Sequence, residues 1–242
     1  MREEWTAWHA RLGNLCRSLR DTDFHEWGFV ICRGVYGDDD AWISFVQCFR
    51  DNVHLDLARG IRRHGSVERG AMLEQYAQWT VIEDSATLDG ASRDDIRQRF
   101  LTWREGRIVR RPVAANPFPI PGDAEPITVL PRFTYCLYVD YDCLATLGPH
   151  LAGKPSDISQ PHLPPPLLVV ILIDGDYVTQ QDAQGPFPPI DGSTVRYVGW
   201  EYFDTRHICA LYNDLHISTL DVDDYHRPPA ISPGGSRSMP VV

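Results

Sequence analysis

Strands alternating with helices, over connections long enough to cross a sheet, predict an α/β layered fold, with a compact α+β sandwich on a mixed sheet as the neighbouring solution. Three observations carry this. Residues 167–173 form the longest continuous apolar run, as a central strand buried on both faces requires. Residues 27–33 form a short apolar, β-branched run that passes through Gly34 and Gly37 into the helix-opening pair Asp38 and Asp39. Finally, Ser92, Asp94 and Asp95 open a helix whose Ile96, Phe100 and Trp103 share one face. At 242 residues and 43% hydrophobic content the chain can bury one good core. The expectation is a single compact domain over residues 1–220, its central mixed sheet flanked by helices, with 221–242 a disordered tail.

Taken in order, Trp5, Trp8, Leu12, Leu15, Cys16 and Leu19 fall at helical spacing and predict a first amphipathic helix over residues 3–20. The strand at 27–33 follows, then a helix presenting Trp42, Phe45, Val46, Phe49 and Val53 to the core. Residues 79–82 make a short strand ahead of the Ser92-capped helix. Six prolines between 112 and 131 break any regular element and make a long loop. Residues 134–139 read as a strand with Asp140 at its end and a short helix carrying Cys143, Leu144 and Leu147 behind it. A second proline loop, 155–166, leads into the apolar strand at 167–173. Residues 195–198 add an edge strand, and Asp204 caps a last helix through Ile208, Leu211 and Leu215. No internal repeat is present.

The net charge of −10 argues against broad nonspecific nucleic-acid binding, DNA included, because such binding needs a basic surface to displace counterions. No window approaches the roughly 18 apolar residues of a membrane span, and the expected compartment is the cytoplasm. Six scattered cysteines without a C-x-x-C pair exclude zinc ribbons and thioredoxin chemistry and read as buried thiols. No metal and no cofactor is expected. Lys154 is the only lysine, so the basic residues are almost all arginine, suited to bidentate contacts with carboxylate or phosphate. Arginines cluster at 59, 62, 63 and 69 and again at 97, 99, 104, 107, 110 and 111. Two Asp-x-Asp pairs, Asp140 with Asp142 and Asp174 with Asp176, each follow an apolar strand, where carboxylates can hold a divalent cation.

The blocks Trp27–Arg33 with Tyr36-Gly37-Asp38-Asp39, Leu88-Asp89-Gly90-Ala91-Ser92 with Ile96, Arg97 and Phe100, and Tyr135-Cys136-Leu137 with Val139-Asp140 resemble a large group of filamentous-fungal proteins. Gly199-Trp200 and Leu211-Tyr212-Asn213-Asp214-Leu215 extend the resemblance across about residues 24 to 216. Within that group the chain is similar to the fungal arginine-containing cyclodipeptide synthases of secondary metabolism. The resemblance implies a transferase that takes arginine from arginyl-tRNA and joins it to a second amino acid. The family's Asp-Asp-x-x-Glu motif matches Asp94-Asp95-Ile96-Arg97-Gln98, with Gln98 in place of the acid, which hydrogen-bonds but takes up no proton. On this reading Asp94, Asp95 and Gln98 are the catalytic set. Glu83, Asp84, Arg97, Arg104 and Arg107 bind substrate, the carboxylates meeting guanidinium or ammonium and the arginines meeting acceptor phosphates. The alternatives are a noncatalytic module binding a small ligand or protein in the same cleft, and metal-assisted transfer at the two Asp-x-Asp pairs.

Overall fold

The structure, a computed structural model, describes residues 12–22, 24–64, 67–107, 130–153, 166–178, 184–221 and 225–239. A six-stranded mixed sheet runs through its centre in the order β2-β1-β3-β4-β5-β6. The strands are β1 (Val30–Arg33), β2 (Thr80–Ile82), β3 (Tyr135–Val139), β4 (Val169–Asp174), β5 (Trp200–Asp204) and β6 (Ile231–Ser232). β1, β3 and β5 are buried at every position, as strands covered on both faces must be.

Helix α1 (Gly13–Thr22) precedes β1. The long helix α2 (Asp39–His64) starts where the Asp38 carboxylate accepts the Ala41 amide at 2.9 Å, and α3 (Val67–Tyr76) returns the chain to β2. Its predicted core face holds: Trp42, Phe45, Phe49 and Val53 are buried and Val46 packs against them. This crossover makes β1 and β2 parallel. Then α4 (Ser85–Leu88) and α5 (Arg93–Glu105) lead to the short α6 (Pro131–Thr134) and to β3, which lies parallel to β1 on its other side.

The direction changes next. α7 (Tyr141–Ala145) and α8 (Leu147–Ala152) are five and six residues long. At about 1.5 Å per residue neither spans the roughly 16 Å length of β3. They stay at its carboxyl end, where the Val169 amide donates to Thr146 Oγ1 at 3.2 Å, and β4 starts at that same edge and runs antiparallel. β5 pairs antiparallel to β4, and a 3₁₀ turn (Thr205–His207) and α9 (Ile208–Asp214) follow it.

Two helical layers cover the sheet. Phe29 and Trp27 meet Tyr212 of α9 on one face, where α1, α2 and α9 gather. Asn213 joins them: its Oδ1 accepts the Asn14 and Leu15 amides at 3.0 and 3.1 Å, satisfying orphan donors of the first turn of α1. α5 covers the opposite face, against β1, β3 and β4. Among the described residues no helix is long and apolar enough to cross a membrane.

Several expectations change. No strand forms at 195–198; the strand is β5, five residues further on, whose Glu201 interrupts the apolar pattern. That side chain is buried and its Oε2 accepts the Ser232 hydroxyl at 2.6 Å and the His226 amide at 3.1 Å. The same contacts explain the tail: residues 225–239, expected to be disordered, supply β6 and bury Tyr225, Ile231 and Met239 against the core. Asp204 caps the 3₁₀ turn, not α9 directly. Residues 3–11 of the predicted first helix, 112–129 of the first proline loop and 155–165 of the second lie outside the described residues.

Burial holds the His216 imidazole down to about 4, and among the described residues its Nε2 has no hydrogen-bond partner. Because the unfolded ring takes up its proton first, this stabilisation is complete above about pH 6.5 and is lost as pH falls towards 4, on the order of 3 kcal/mol in all. Urea denaturation at pH 7 and at pH 4.5 should show a steep fall for the native chain and a shallower one for His216→Phe. The raised carboxyls of Asp56 and Asp174 act in the opposite sense but are common to both proteins, so the difference isolates the histidine.

Candidate functional site

In an open sheet, the carboxyl ends of neighbouring parallel strands diverge where the order reverses and leave a crevice between their loops. Here that point lies between β1 and β3, since the chain places β2 on one side of β1 and β3 on the other. A cleft of about 340 Å³ opens there, lined by residues 90–94, by Tyr138 and residues 140–142 at the end of β3, and by Asp191.

Each wall has a local cause. Gly90 takes φ +63° and its amide donates to Gly34 O at 3.0 Å, folding the 84–92 segment over the end of β1. Ser92 then caps α5 with the predicted geometry: its Oγ accepts the Asp95 amide at 3.2 Å, and Asp95 Oδ2 accepts the Ser92 amide at 3.2 Å. The Tyr138 ring lies against Gly34, where a Cβ would stand 2.1 Å from it, and its hydroxyl donates to Ala91 O at 2.8 Å. Burial, then the nearby Asp140 carboxylate, hold that hydroxyl above its ordinary range, so it stays a donor. Asp140 caps α7 by accepting the Cys143 amide at 2.9 Å. Asp191, with φ +48°, accepts the Trp200 indole N–H at 2.8 Å and stands 3.4 Å from Arg93. The Arg93 guanidinium stacks over Trp200 at 3.8 Å.

The balance of charge decides what can bind. Among the described residues four carboxylates, those of Asp94, Asp140, Asp142 and Asp191, line the cleft with one cation, Arg93; Asp191 pairs with Arg93 and Asp94 with Arg97, and the balance stays negative. The cleft therefore favours a cation carrying several N–H donors. Among the described residues no group of three or more His, Cys, Asp or Glu side chains could hold a metal ion. The two Asp-x-Asp pairs cannot combine, because antiparallel pairing sends Asp140 and Asp174 to opposite edges of the sheet.

The expected site residues separate. Asp94 lines the cleft, largely exposed and paired with Arg97. Asp95 turns away into the capping box, and Gln98 is exposed one turn on without lining the cleft. Arg97 is 5% exposed and donates from Nε to Asp174 O at 2.8 Å. Arg104 donates to Phe133 O at 3.0 Å and to Asp176 at 2.7 Å. Arg107 is exposed over the Trp103 ring at 5.3 Å. Glu83 accepts the Trp42 indole N–H at 2.8 Å and lies 3.7 Å from Arg33, while Asp84 accepts the Thr87 hydroxyl at 2.7 Å; neither lines the cleft. The side chains of Arg62, Arg63 and Arg69, and all of Arg110 and Arg111, lie outside the described residues.

Tyr138, Tyr141, Arg93 and Asp191 have no counterpart in the expected set. A signal for Asp191 exists in its Asp-Gly turn with Gly192, and for Asp140 in its place at a strand's carboxyl end. No family model, no curated protein and no solved structure matches the chain.

Gly34→Ala should cost about 1–3 kcal/mol, because the new methyl displaces the Tyr138 ring and the cleft wall with it. Thermal melts of Gly34→Ala, Tyr138→Ala and the double variant check this: the double variant should lose less than the two single losses added together.

Proposed function

We propose that this chain binds a small organic cation, arginine first among candidates, in the acidic cleft at the carboxyl ends of β1 and β3. The supporting observation is the charge of that cleft, where four carboxylates outnumber the two arginines, Arg93 and Arg97, that pair with Asp191 and Asp94. Planar guanidinium and carboxylate match in bidentate hydrogen bonds, and such pairing weakens as salt rises.

The reaction in this reading is the one implied by the likeness to fungal cyclodipeptide synthases: cytoplasmic joining of arginine, from arginyl-tRNA, to a second amino acid. An aminoacyl ester is already activated, so the protein must hold two amino acids close, take a proton from the attacking amine and stabilise an oxyanion. Asp94 and Asp191, paired with Arg97 and Arg93, offer the guanidinium the lone pairs those contacts leave. Asp140, fixed by its Cys143 hydrogen bond, is the carboxylate placed to take the amine proton. Arg107, exposed just past the end of α5, is the arginine assigned to phosphate.

A noncatalytic binding module is the second reading, favoured by the engagement of Asp95 in the helix cap and by the place of Gln98 outside the cleft.

Calorimetric titration with L-arginine should show binding that weakens as salt is raised and falls about tenfold or more in Asp191→Asn. Incubation with arginyl-tRNA and a mixture of other aminoacyl-tRNAs, so that each of the two new amide bonds releases one tRNA, should yield arginine-containing diketopiperazines by mass spectrometry. Arginine binding without product, unchanged in Gln98→Glu, would select the module. Absence of both binding and product would remove the proposal.

A further inference from the structure

β5 and β6 pair in parallel, so both leave the sheet at the same edge, β5 into the 3₁₀ turn Thr205–His207 and β6 into residues 233–236. A cavity of about 160 Å³ is lined from both sides of this exit. Asp204, Arg206 and His207 come to it from the first segment, and Ser232, Ser236 and Arg237 from the second.

Two glycines shape the second segment. Gly234 and Gly235 take φ +92° and +58°, and a Cβ at Gly235 would stand 2.2 Å from the His226 ring. The chain reverses at once: the Gly235 amide donates to Ile231 O at 3.2 Å and the Ile231 amide to Arg237 O at 2.8 Å, which brings Ser236 and Arg237 back to the cavity wall. In the first segment the buried Asp204 carboxylate fixes the Arg206 guanidinium, accepting Nε at 2.9 Å and Nη2 at 2.7 Å. That contact uses one edge of the fork. Nη1 keeps both hydrogens, and among the described residues no protein acceptor takes them.

We infer that this cavity binds a phosphate group, either the free ion or the monoester of a small molecule. Its charge is the first reason: Asp204 cancels Arg206, and Arg237 leaves the lining positive, the reverse of the cleft between β1 and β3. Its donors are the second. Arg206 Nη1, the Arg237 guanidinium and the Ser236 hydroxyl converge from two segments, and a tetrahedral oxyanion accepts on several oxygens at once, with guanidinium its best-matched partner. Size is the third, because the cavity falls below the roughly 300 Å³ at which small-molecule pockets begin and so admits a phosphoryl group while leaving the rest of an ester outside. No residue is shared with the acidic cleft, so this site stands or falls apart from the cation-binding reading.

Calorimetry on the full chain with inorganic phosphate and with glycerol 3-phosphate, against chloride at matched ionic strength, tests this. At least one should bind, and its affinity should fall about tenfold or more in Arg237→Gln and in Ser236→Asp, which sets a like charge at an exposed position. Thermal melts establish that both variants fold; should Arg237→Gln not fold, Ser236→Asp decides alone. Binding of phosphate only marks a site for the free ion, and comparable binding of the ester marks one for a phosphoryl head group. If neither compound binds beyond the chloride control, or if a folded variant binds as the native chain does, the inference is overturned.

Discussion

The wall of the cleft formed by α5 depends on one buried guanidinium. Arg97 lies beneath the helix, almost without solvent, and donates to the carbonyl of Asp174 at the end of β4 and, at 3.5 Å, to that of Gly199 ahead of β5. Its third partner is Asp94 on its own helix. A desolvated cation is tolerated only with its donors satisfied, and removing one partner of such a cluster costs several kcal/mol because the other is left unpaired. Arg97 thereby sets the rotation of α5 about its axis, which brings Asp94 to the cleft and leaves Asp95 to the cap. The Phe100 ring fixes the same rotation one turn later, packed so near Gly175 that a Cβ there would stand 2.7 Å from it.

The mixed sheet then separates two chemistries. Had α7 and α8 been long enough to cross, β4 would have run parallel to β3 and delivered Asp174 to the edge that already carries Asp140. Because they are short, that edge receives the start of β4, and Asp174 goes to the far edge, where the Tyr197 hydroxyl and the Asp176 amide solvate it at 2.7 and 2.9 Å. Burial still raises its carboxyl, and Tyr197's hydrogen bond only partly offsets this. One acidic pair thus belongs to a buried strand end and the other to a cleft, though their sequences look alike.

Legibility in the sequence follows from how local each cause is. The Ser92 cap, the Asp38 cap, the core face of α2 and the strands at 30–33 and 135–139 rest on contacts within a few residues, and their residue types declare them. β5 was not legible, because Glu201 and Asp204 are accommodated by Ser232, His226 and Arg206, partners that periodicity cannot see. The tail reads as disordered for the same reason: its glycines and prolines permit a strap whose stability lies in Tyr225, Ile231 and Met239 meeting a distant core. Of the site, Asp94 and Asp140 stand out locally, while Tyr138 and Asp191 matter only because strand order and a long loop bring them across.

The arginines of α5 show how tertiary placement redirects a functional reading. As a sequence they form a positive stripe, and a stripe invites phosphate. In the fold, Arg97 and Arg104 turn inward to backbone carbonyls and to two carboxylates, Asp94 at the start of the helix and Asp176 after β4, and Arg93 stacks on Trp200. A guanidinium engaged in this way has its donors directed at protein acceptors, so its charge is spent locally. What remains facing solvent at the carboxyl ends of β1 and β3 is negative, and the chemistry of the cleft inverts: a surface read as a place for an anion becomes one for a cation. The acids of the chain, more numerous than its bases, then set the character of the site as well as of the whole protein.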